Sequence, residues 1–305
     1  SDVCSSDLLM LATIASLALC KHPKIRRNGM RIGLNRRGCA AGVAILLLLI
    51  TIFVRGEPIR VGSTGSALGT MKILGEAFAR QNASKIELTL MPNLGSSGAL
   101  RALQAGAIDI ALLSRPLSEA QHAAGLVAFE YGRSPFVLVS SKPGVGNLTP
   151  AALADLLGGR TLTWSDGQPV RLVLRPKTDI DSEILASLSH GSAEALTIAS
   201  RRQGMVIAAT DQEAADHAER LPGSLAVSTL ALIVPERRKL NVLSFDGVPP
   251  SVAALADGSY RHFKSLAMVT RGAPSGAALQ FIEFVRSPQG RAILEANGHL
   301  VSFKP

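Results

Sequence analysis

Ile59-Arg60-Val61-Gly62-Ser63-Thr64-Gly65-Ser66 decides the fold: a short apolar strand runs directly into a turn of glycines and hydroxyls. Leu68, Met71, Leu74, Ala77 and Phe78 follow at helical spacing, so the turn opens a helix that lasts to Arg80. The construction then repeats. Ile86-Glu87-Leu88-Thr89-Leu90 alternates as a strand, Asn93-Leu94-Gly95-Ser96-Ser97-Gly98 is a second such turn, and a short helix is expected over 99–105. Ile108 to Leu113 reads as a third strand. Strands alternating with helices predict an α/β fold built on parallel pairing.

The two turns are the first candidate site. Glycine lets the backbone approach a ligand closely. Unpaired N–H groups at a helix start, with the helix dipole behind them, favour an anion. Serine and threonine hydroxyls add donors. Either turn alone can merely cap its helix. Two of them at the carboxyl end of one parallel sheet point to a binding site, because ligands of open α/β sheets sit at that end. Neither is a nucleotide motif: no Lys-Ser/Thr follows the last glycine of the first, and the G-x-G-x-x-G fingerprint is absent.

Beyond these turns the pattern continues in kind. Phe136 to Val139 is a strand ending at a crossover over Ser140 to Gly144. Thr149 caps a helix to Leu157 with Pro150 in its first position. Val170 to Leu174 is a strand, and Ser182 to Leu188 a helix. Thr210 and Glu213 form a capping box for a helix to Arg220. One or two strands are expected in Ser224 to Val234, then a strand (241–243), a helix (251–256) and a strand (266–270). Helices over 275–285 and 288–296 close the chain, with Gly298 placed to terminate the last.

The 305 residues allow about two domains by the usual size prior. With 47% hydrophobic and 18% charged residues, the chain can bury a core. Eight Lys/Arg against two acids precede residue 57, so only +3 of the net charge of +9 belongs to the rest. A mildly basic body with 4% aromatics excludes a nucleic-acid surface. Cys4, Cys20 and Cys39 all precede that body, which therefore has no disulfide, thiol nucleophile or cysteine metal site.

Ala40 to Val54 is an apolar run behind Arg31, Arg36 and Arg37, the form of an export signal. The basic side stays in the cytoplasm, which sends residues 57–305 outside. The run is shorter than the ~20 residues that span a bilayer comfortably, and no small-x-small cleavage site follows it. An uncleaved membrane anchor and a cleaved signal peptide both remain open for residues 30–56. Met30 is a candidate start. Cys4-Ser5-Ser6-Asp7-Leu8 matches the translated end of a common sequencing adapter, so residues 1–29 are expected to be a non-native or unstructured leader.

Catalytic patterns are missing. There is no G-x-S-x-G elbow and no H-E-x-x-H. His122, His190, His217, His262 and His299 are scattered and expected at the surface. No catalytic residue, metal site or cofactor is expected.

At the two turns the chain resembles the periplasmic phosphate-binding proteins, the substrate-binding proteins of ABC importers. Gly62-Ser63-Thr64-Gly65-Ser66 is similar to that family's first anion loop, and Gly95-Ser96-Ser97-Gly98 to its second. Ala107-Ile108-Asp109-Ile110-Ala111 with Ser114-Arg115-Pro116-Leu117 looks like a further family segment. So do Asp246-Gly247-Val248-Pro249-Pro250-Ser251 and Asp257-Gly258-Ser259-Tyr260. The resemblance implies the type II periplasmic-binding-protein fold: two lobes, a ligand cleft between them and hinge closure on the solute. It implies domain I from 57–140 with 235–305, and domain II from 141–234. It places Thr64, Gly65, Ser66, Gly95, Ser96, Ser97, Gly98, Ser114 and Arg115 at the ligand in domain I. Across the cleft it implies Arg175 as an oxyanion clamp, since a guanidinium bonds two oxygens at once.

One departure stands out. Where the family has hydroxyl donors after the arginine, this chain has Asp179 and Asp181. An ionised carboxylate has no proton to donate. A like charge about 4 Å away costs roughly 4 kcal/mol at an effective dielectric of 20, or about three decades of affinity. Either these acids pair with Arg175, Lys177 or Arg115, or they point away, or the solute is not phosphate; one of them can also simply cap the next helix. The expected function is a monomeric, non-enzymatic solute-binding protein of an ABC importer. It would sit in the periplasm or at the cell surface, bind a small inorganic or organic anion, dock on an ABC permease and be held to the membrane through residues 40–54. The alternatives are a membrane-tethered sensor or interaction module with a diverged site, and an exported hydrolase.

Overall fold

The computed structural model describes residues 58–82, 86–91, 94–301 and 303. The expected leader and the expected signal or anchor lie outside the described residues. Among the described residues no helix is long and apolar enough to cross a membrane.

The chain opens with β1 (Ile59–Gly62), α1 (Gly65–Gln81), β2 (Leu88–Met91), α2 (Gly95–Gln104), β3 (Ile110–Leu113), α3 (Glu119–Ala123) and β4 (Leu126–Ser140). Next come β5 (Asn147–Leu148), α4 (Pro150–Gly158), β6 (Arg171–Leu174), α5 (Ile180–Ser187), α6 (Ser192–Arg201), β7 (Val206–Ile207), α7 (Asp211–Arg220), β8 (Ser224–Thr229) and α8 (Leu230–Ile233). The last segment holds β9 (Asn241–Val242), β10 (Ser244–Phe245), α9 (Val252–Ala256), β11 (Phe263–Arg271), α10 (Gly276–Arg286) and α11 (Pro288–Ala296).

These elements make a mixed α/β fold of two lobes. In the first lobe β1 lies parallel to β2 and β3, and β11 runs antiparallel to β3 and β4. In the second, β6 lies parallel to β7 and β8, and β8 runs antiparallel to β4. One long strand therefore serves both sheets: β4 pairs with β11 as far as Pro135 and with β8 from Phe136 on. The crossover thus falls at Pro135-Phe136, not at the expected Ser140 to Gly144. Proline lacks the N–H a ladder would use, so it suits the place where β4 changes partners.

Each lobe buries its own apolar residues. Ala67, Met71, Leu74, Ala77 and Phe78 of α1 face the first core, where Phe78 meets Phe281 and Phe284 at ring separations of 5.3 and 5.5 Å. Fully burying such side chains contributes about 1.5–3 kcal/mol each. Leu153, Trp164, Leu172 and Leu225 share the second core with Leu243, Phe245, Ala254 and Tyr260. The last four belong to the stretch that the sequence assigns to domain I. They cross over because Tyr260 donates a 2.6 Å hydrogen bond to the Phe136 carbonyl and because β10 pairs with β5.

Three further differences have local causes. Of the one or two strands expected in Ser224 to Val234 one forms, β8, and Leu230–Ile233 are the short helix α8, whose Ala231 N–H is held by Ser134 Oγ at 2.9 Å. α6 and β7 have weak sequence signals and are additional elements. His299 is fully buried, not at the surface: its ring lies 5.8 Å from that of Tyr131, and burial lowers its pKa to about 4. Gly298 delivers it there with φ of +80°, and a Cβ at that glycine would lie 2.8 Å from Leu230.

Candidate functional site

Both glycine turns begin helices as expected, and neither helix start is capped by the side chain of its N-cap residue, Thr64 or Leu94. The first N–H groups of a helix have no partner within it, so each start must find an acceptor elsewhere. β1, β2 and β3 deliver both turns to one end of the first sheet. There Ser96 Oγ accepts from the Ser114 N–H at 3.0 Å and shares a 3.1 Å hydrogen bond with Ser114 Oγ, which Thr64 Oγ1 reaches at 3.4 Å. These contacts tie the two turns and the end of β3 into one wall.

The start of α1 finds its acceptor in the other lobe. Asp211, the first residue of α7, takes the Ser66 N–H on Oδ2 at 2.8 Å and the Ser66 hydroxyl on the same oxygen at 3.2 Å. Gln212 Nε2 donates to the Gly65 carbonyl at 3.0 Å. The approach requires glycine, since a Cβ on Gly65 would sit 2.5 Å from the Asp211 Cβ.

Arg175 follows β6 and is 9% exposed. It donates from Nη1 to the Ala208 carbonyl at 2.8 Å and from Nη2 to Asp179 Oδ2 at 2.7 Å; Asp211 Oδ1 lies 3.4 Å from Nη2, and Asp181 Oδ2 lies 3.6 Å from Nε. Asp179 also caps α5, accepting the Asp181 N–H at 2.9 Å. Lys264 of β11 comes from the first lobe and is 2% exposed. Its Nζ contacts Asp181 Oδ1, Ser66 Oγ at 3.1 Å and Asp211 Oδ1 at 3.5 Å. Two cations thus meet three carboxylates between the lobes.

The carboxyl groups respond in opposite directions. Burial pushes Asp181 up to about 7, with Lys264 opposing and Asp211 and Asp179 reinforcing the rise. Burial also works against ionised Asp211, but Lys264 and Arg175, with hydrogen bonds from Asp181 and Ser66, outweigh it and bring Asp211 down to about 2. Lys264 loses solvation too, yet its carboxylate neighbours hold it charged above the usual lysine range. Asp181 and Asp211 share the same two cations, Arg175 and Lys264, so they titrate as a pair.

Beside this network lies a cavity of about 340 Å³. Of the residues singled out in the sequence, Thr64, Gly65, Gly95, Ser96, Ser97, Gly98, Ser114, Arg115, Arg175 and Asp179 line it. Ser66 and Asp181 do not; both are buried in the ion network. Arg115 is drawn to its own lobe by the Pro116 carbonyl at 3.0 Å and Gln121 Oε1 at 3.2 Å. The guanidinium of Arg175, implied as a clamp for solute, is taken up by carboxylates of its own lobe. Of the possibilities open for Asp179 and Asp181, the structure has both paired with Arg175.

Sequence reasoning missed Asp211, Lys264, Arg101 and Glu183, which also face the site. Asp211 sits inside the capping box read at Thr210, where it looks like an ordinary acid in a first helical turn. Lys264 had a signal: it is a lone charge in phase with Leu266 and Met268, on the buried side of β11. A larger cavity of about 570 Å³ lies at the opposite ends of β1 and β3, where its acid, Asp109, is paired with Arg60 at 2.7 Å.

Residues 52–289 match the family model described as a PBP superfamily domain. Among solved structures, the chain is similar to a putative phosphate ABC transporter substrate-binding protein with bound phosphate from Clostridium perfringens. That similarity has 17% identity and a TM-score of 0.69, covering 81% of this chain and 100% of that one. It is similar to the periplasmic molybdate-binding protein of Azotobacter vinelandii at 20% identity and TM-score 0.60, with 80% and 100% covered. An ABC-type phosphate transport receptor from Vibrio cholerae gives 16% identity and TM-score 0.57, with 81% and 100% covered. None of the curated proteins matches the sequence. At these identities the likeness concerns the fold.

Proposed function

The chain belongs to the PBP superfamily, and from that premise we propose that it is a solute-binding protein of an ABC importer that takes a small anion between its lobes. The observation that carries this reading is the convergence of two glycine-serine helix starts, the end of β3 and the loop after β6 on one cavity of about 340 Å³. That volume suits a small solute and falls near the lower end of ligand pockets, about 300–1,000 Å³. The α2 start, with Ser96 and Ser97, presents donors and a positive dipole end to it. The lobes are the bodies that would open and close, with the Pro135-Phe136 step of β4 as hinge. The protein carries its solute without turnover, acts as a monomer outside the cytoplasmic membrane and hands the solute to a permease. Its tether, where one is kept, is residues 40–54.

The test is thermal unfolding of dialysed protein with phosphate, sulfate, molybdate and small carboxylates. A ligand at 100 times its Kd stabilises by about 2.7 kcal/mol, which for this size raises Tm by about 5–11 °C at 2–4 °C per kcal/mol. No shift with any of them sinks the reading.

The ion network favours a second reading, a membrane-tethered sensor or interaction module whose cleft has ceased to take free anions. Its mark is recovery of a membrane partner other than a permease by a pulldown, together with a silent anion screen.

A further inference from the structure

Asp211 does at the start of α1 what a bound oxyanion would do. One carboxylate oxygen accepts both the Ser66 N–H (2.8 Å) and the Ser66 hydroxyl (3.2 Å), and the other lies 3.5 Å from the Lys264 ammonium and 3.4 Å from Arg175. The loop glycine that makes close approach possible admits this side chain, since a Cβ on Gly65 would strike the Asp211 Cβ. The acceptor belongs to one lobe and the donors to the other. Gln212 adds a second bond across the gap, to the Gly65 carbonyl at 3.0 Å, and bonds Glu236 at 2.9 Å with the same nitrogen.

We propose that Asp211 is a tethered surrogate for the solute's anionic group at the first loop. It holds the lobes together without solute and closes that position to phosphate-like dianions. The second half rests on the anion-binding function proposed above; the first half does not. An incoming anion is left with the α2 start, the Ser114 hydroxyl and the guanidiniums of Arg101 and Arg115. The cavity there is faced by Asp179 and by Glu183. With Arg101 and Arg115 on the α2 side and Asp179 and Glu183 opposite, the cavity suits a small anion whose other end carries hydrogen-bond donors and disfavours a bare tetrahedral dianion.

The experiment compares the wild-type chain with Asp211→Ser and Asp211→Asn, using X-ray scattering for closure and calorimetry with inorganic phosphate for affinity. Wild type is expected to have the closed radius of gyration without phosphate and not to change when phosphate is added. Asp211→Ser removes the charge and supplies a hydroxyl. It is expected to open without phosphate, to close with it, and to bind it about a thousandfold more tightly, the equivalent of about 4 kcal/mol at 1.4 kcal/mol per decade. Asp211→Asn keeps the shape of the side chain, guards against a folding defect, and should fall between. If Asp211→Ser opens but takes no phosphate, the latch stands and the claim that Asp211 closes the first loop to phosphate is overturned; silence of the wild type in the full anion screen is what sinks the anion-binding function itself. The inference is overturned if both variants fold and keep the wild-type radius, or if wild type opens and closes on phosphate with the affinity of Asp211→Ser.

Discussion

Replacing Lys264 by methionine keeps an unbranched apolar stem and removes the charge that joins the lobes. Lys264 is 2% exposed, with Asp181 and Asp211 around its ammonium and Ser66 beside it. In Lys264→Met three carboxylates share the single guanidinium of Arg175, whose nearest oxygens on Asp211 and Asp181 are 3.4 and 3.6 Å away. Breaking a buried pair by removing one partner costs about 3–5 kcal/mol, because a buried charge is left uncompensated. At about 2–4 °C per kcal/mol for a chain of this size, Tm should fall by about 6–20 °C at pH 8. The deficit should depend on pH. Asp181 already binds its proton up to about 7 against 3.8 when unfolded, a raised pKa whose favourable contribution is complete below 3.8 and lost as pH climbs through 7. Removing the ammonium raises Asp181 further and lifts Asp211 from its depressed value. The carboxyls of the variant then take up protons on acidification, so the deficit should shrink from pH 8 to pH 5. Thermal or urea unfolding of both proteins at the two pH values decides it. A loss under about 1 kcal/mol at pH 8, or the same loss at both, refutes the assignment of Lys264 as the charge that holds Asp181 and Asp211 together.

Other outcomes follow from the same contacts. Asp181→Asn leaves two cations with two carboxylates and removes the group titrating near 7; stability at pH 8 should be unchanged or higher, and its decline between pH 4 and 7 flatter in a series of melts. Gly65→Ala sets a methyl 2.5 Å from the Asp211 Cβ, so the lobes should part, visible as a larger radius of gyration, with an overpacking cost of about 1–3 kcal/mol if they cannot. Tyr260→Phe loses the 2.6 Å bond to the Phe136 carbonyl and should cost about 0.5–1.5 kcal/mol by denaturant unfolding, with faster amide exchange along β4 beyond Phe136.

What the sequence made legible was local. Thr149 and Pro150 start α4, and Thr210 with Glu213 starts α7, because a cap is a contract between residues three apart. The glycine turns were legible for the same reason. The first ten residues of β4 were not: a glycine and a proline, Gly132 and Pro135, lie among them, and both residue types weaken a strand pattern. They lie in a strand because β11 pairs with them along most of its length, and Pro135 falls where β4 changes partners. His299 misleads in the same way. Its burial comes from Leu300 pairing with Arg133, far away in the chain.

The site divides along the same line, and that division bears on what the cleft can bind. Gly65 promised a close backbone approach, and the promise was kept by an unexpected visitor: a side chain 145 residues along the chain from its partner Ser66, on the opposite lobe. Lys264, 198 residues from Ser66, completes the cage. No local spacing announces either contact, because each exists only once two separately built lobes face each other. A glycine-serine helix start in the sequence therefore specifies the demand for an acceptor but not its owner. Here the α1 demand is met within the chain by Asp211, while that of α2 opens on the cavity. The acids after Arg175, Asp179 and Asp181, fit this arrangement. With Asp179, Asp181 and Asp211 held near it, Arg175 stabilises the second lobe's own carboxylates, and under the proposed function selection of solute would pass to the donors of α2, to Arg101 and Arg115, and to Glu183 and Asp179 across from them.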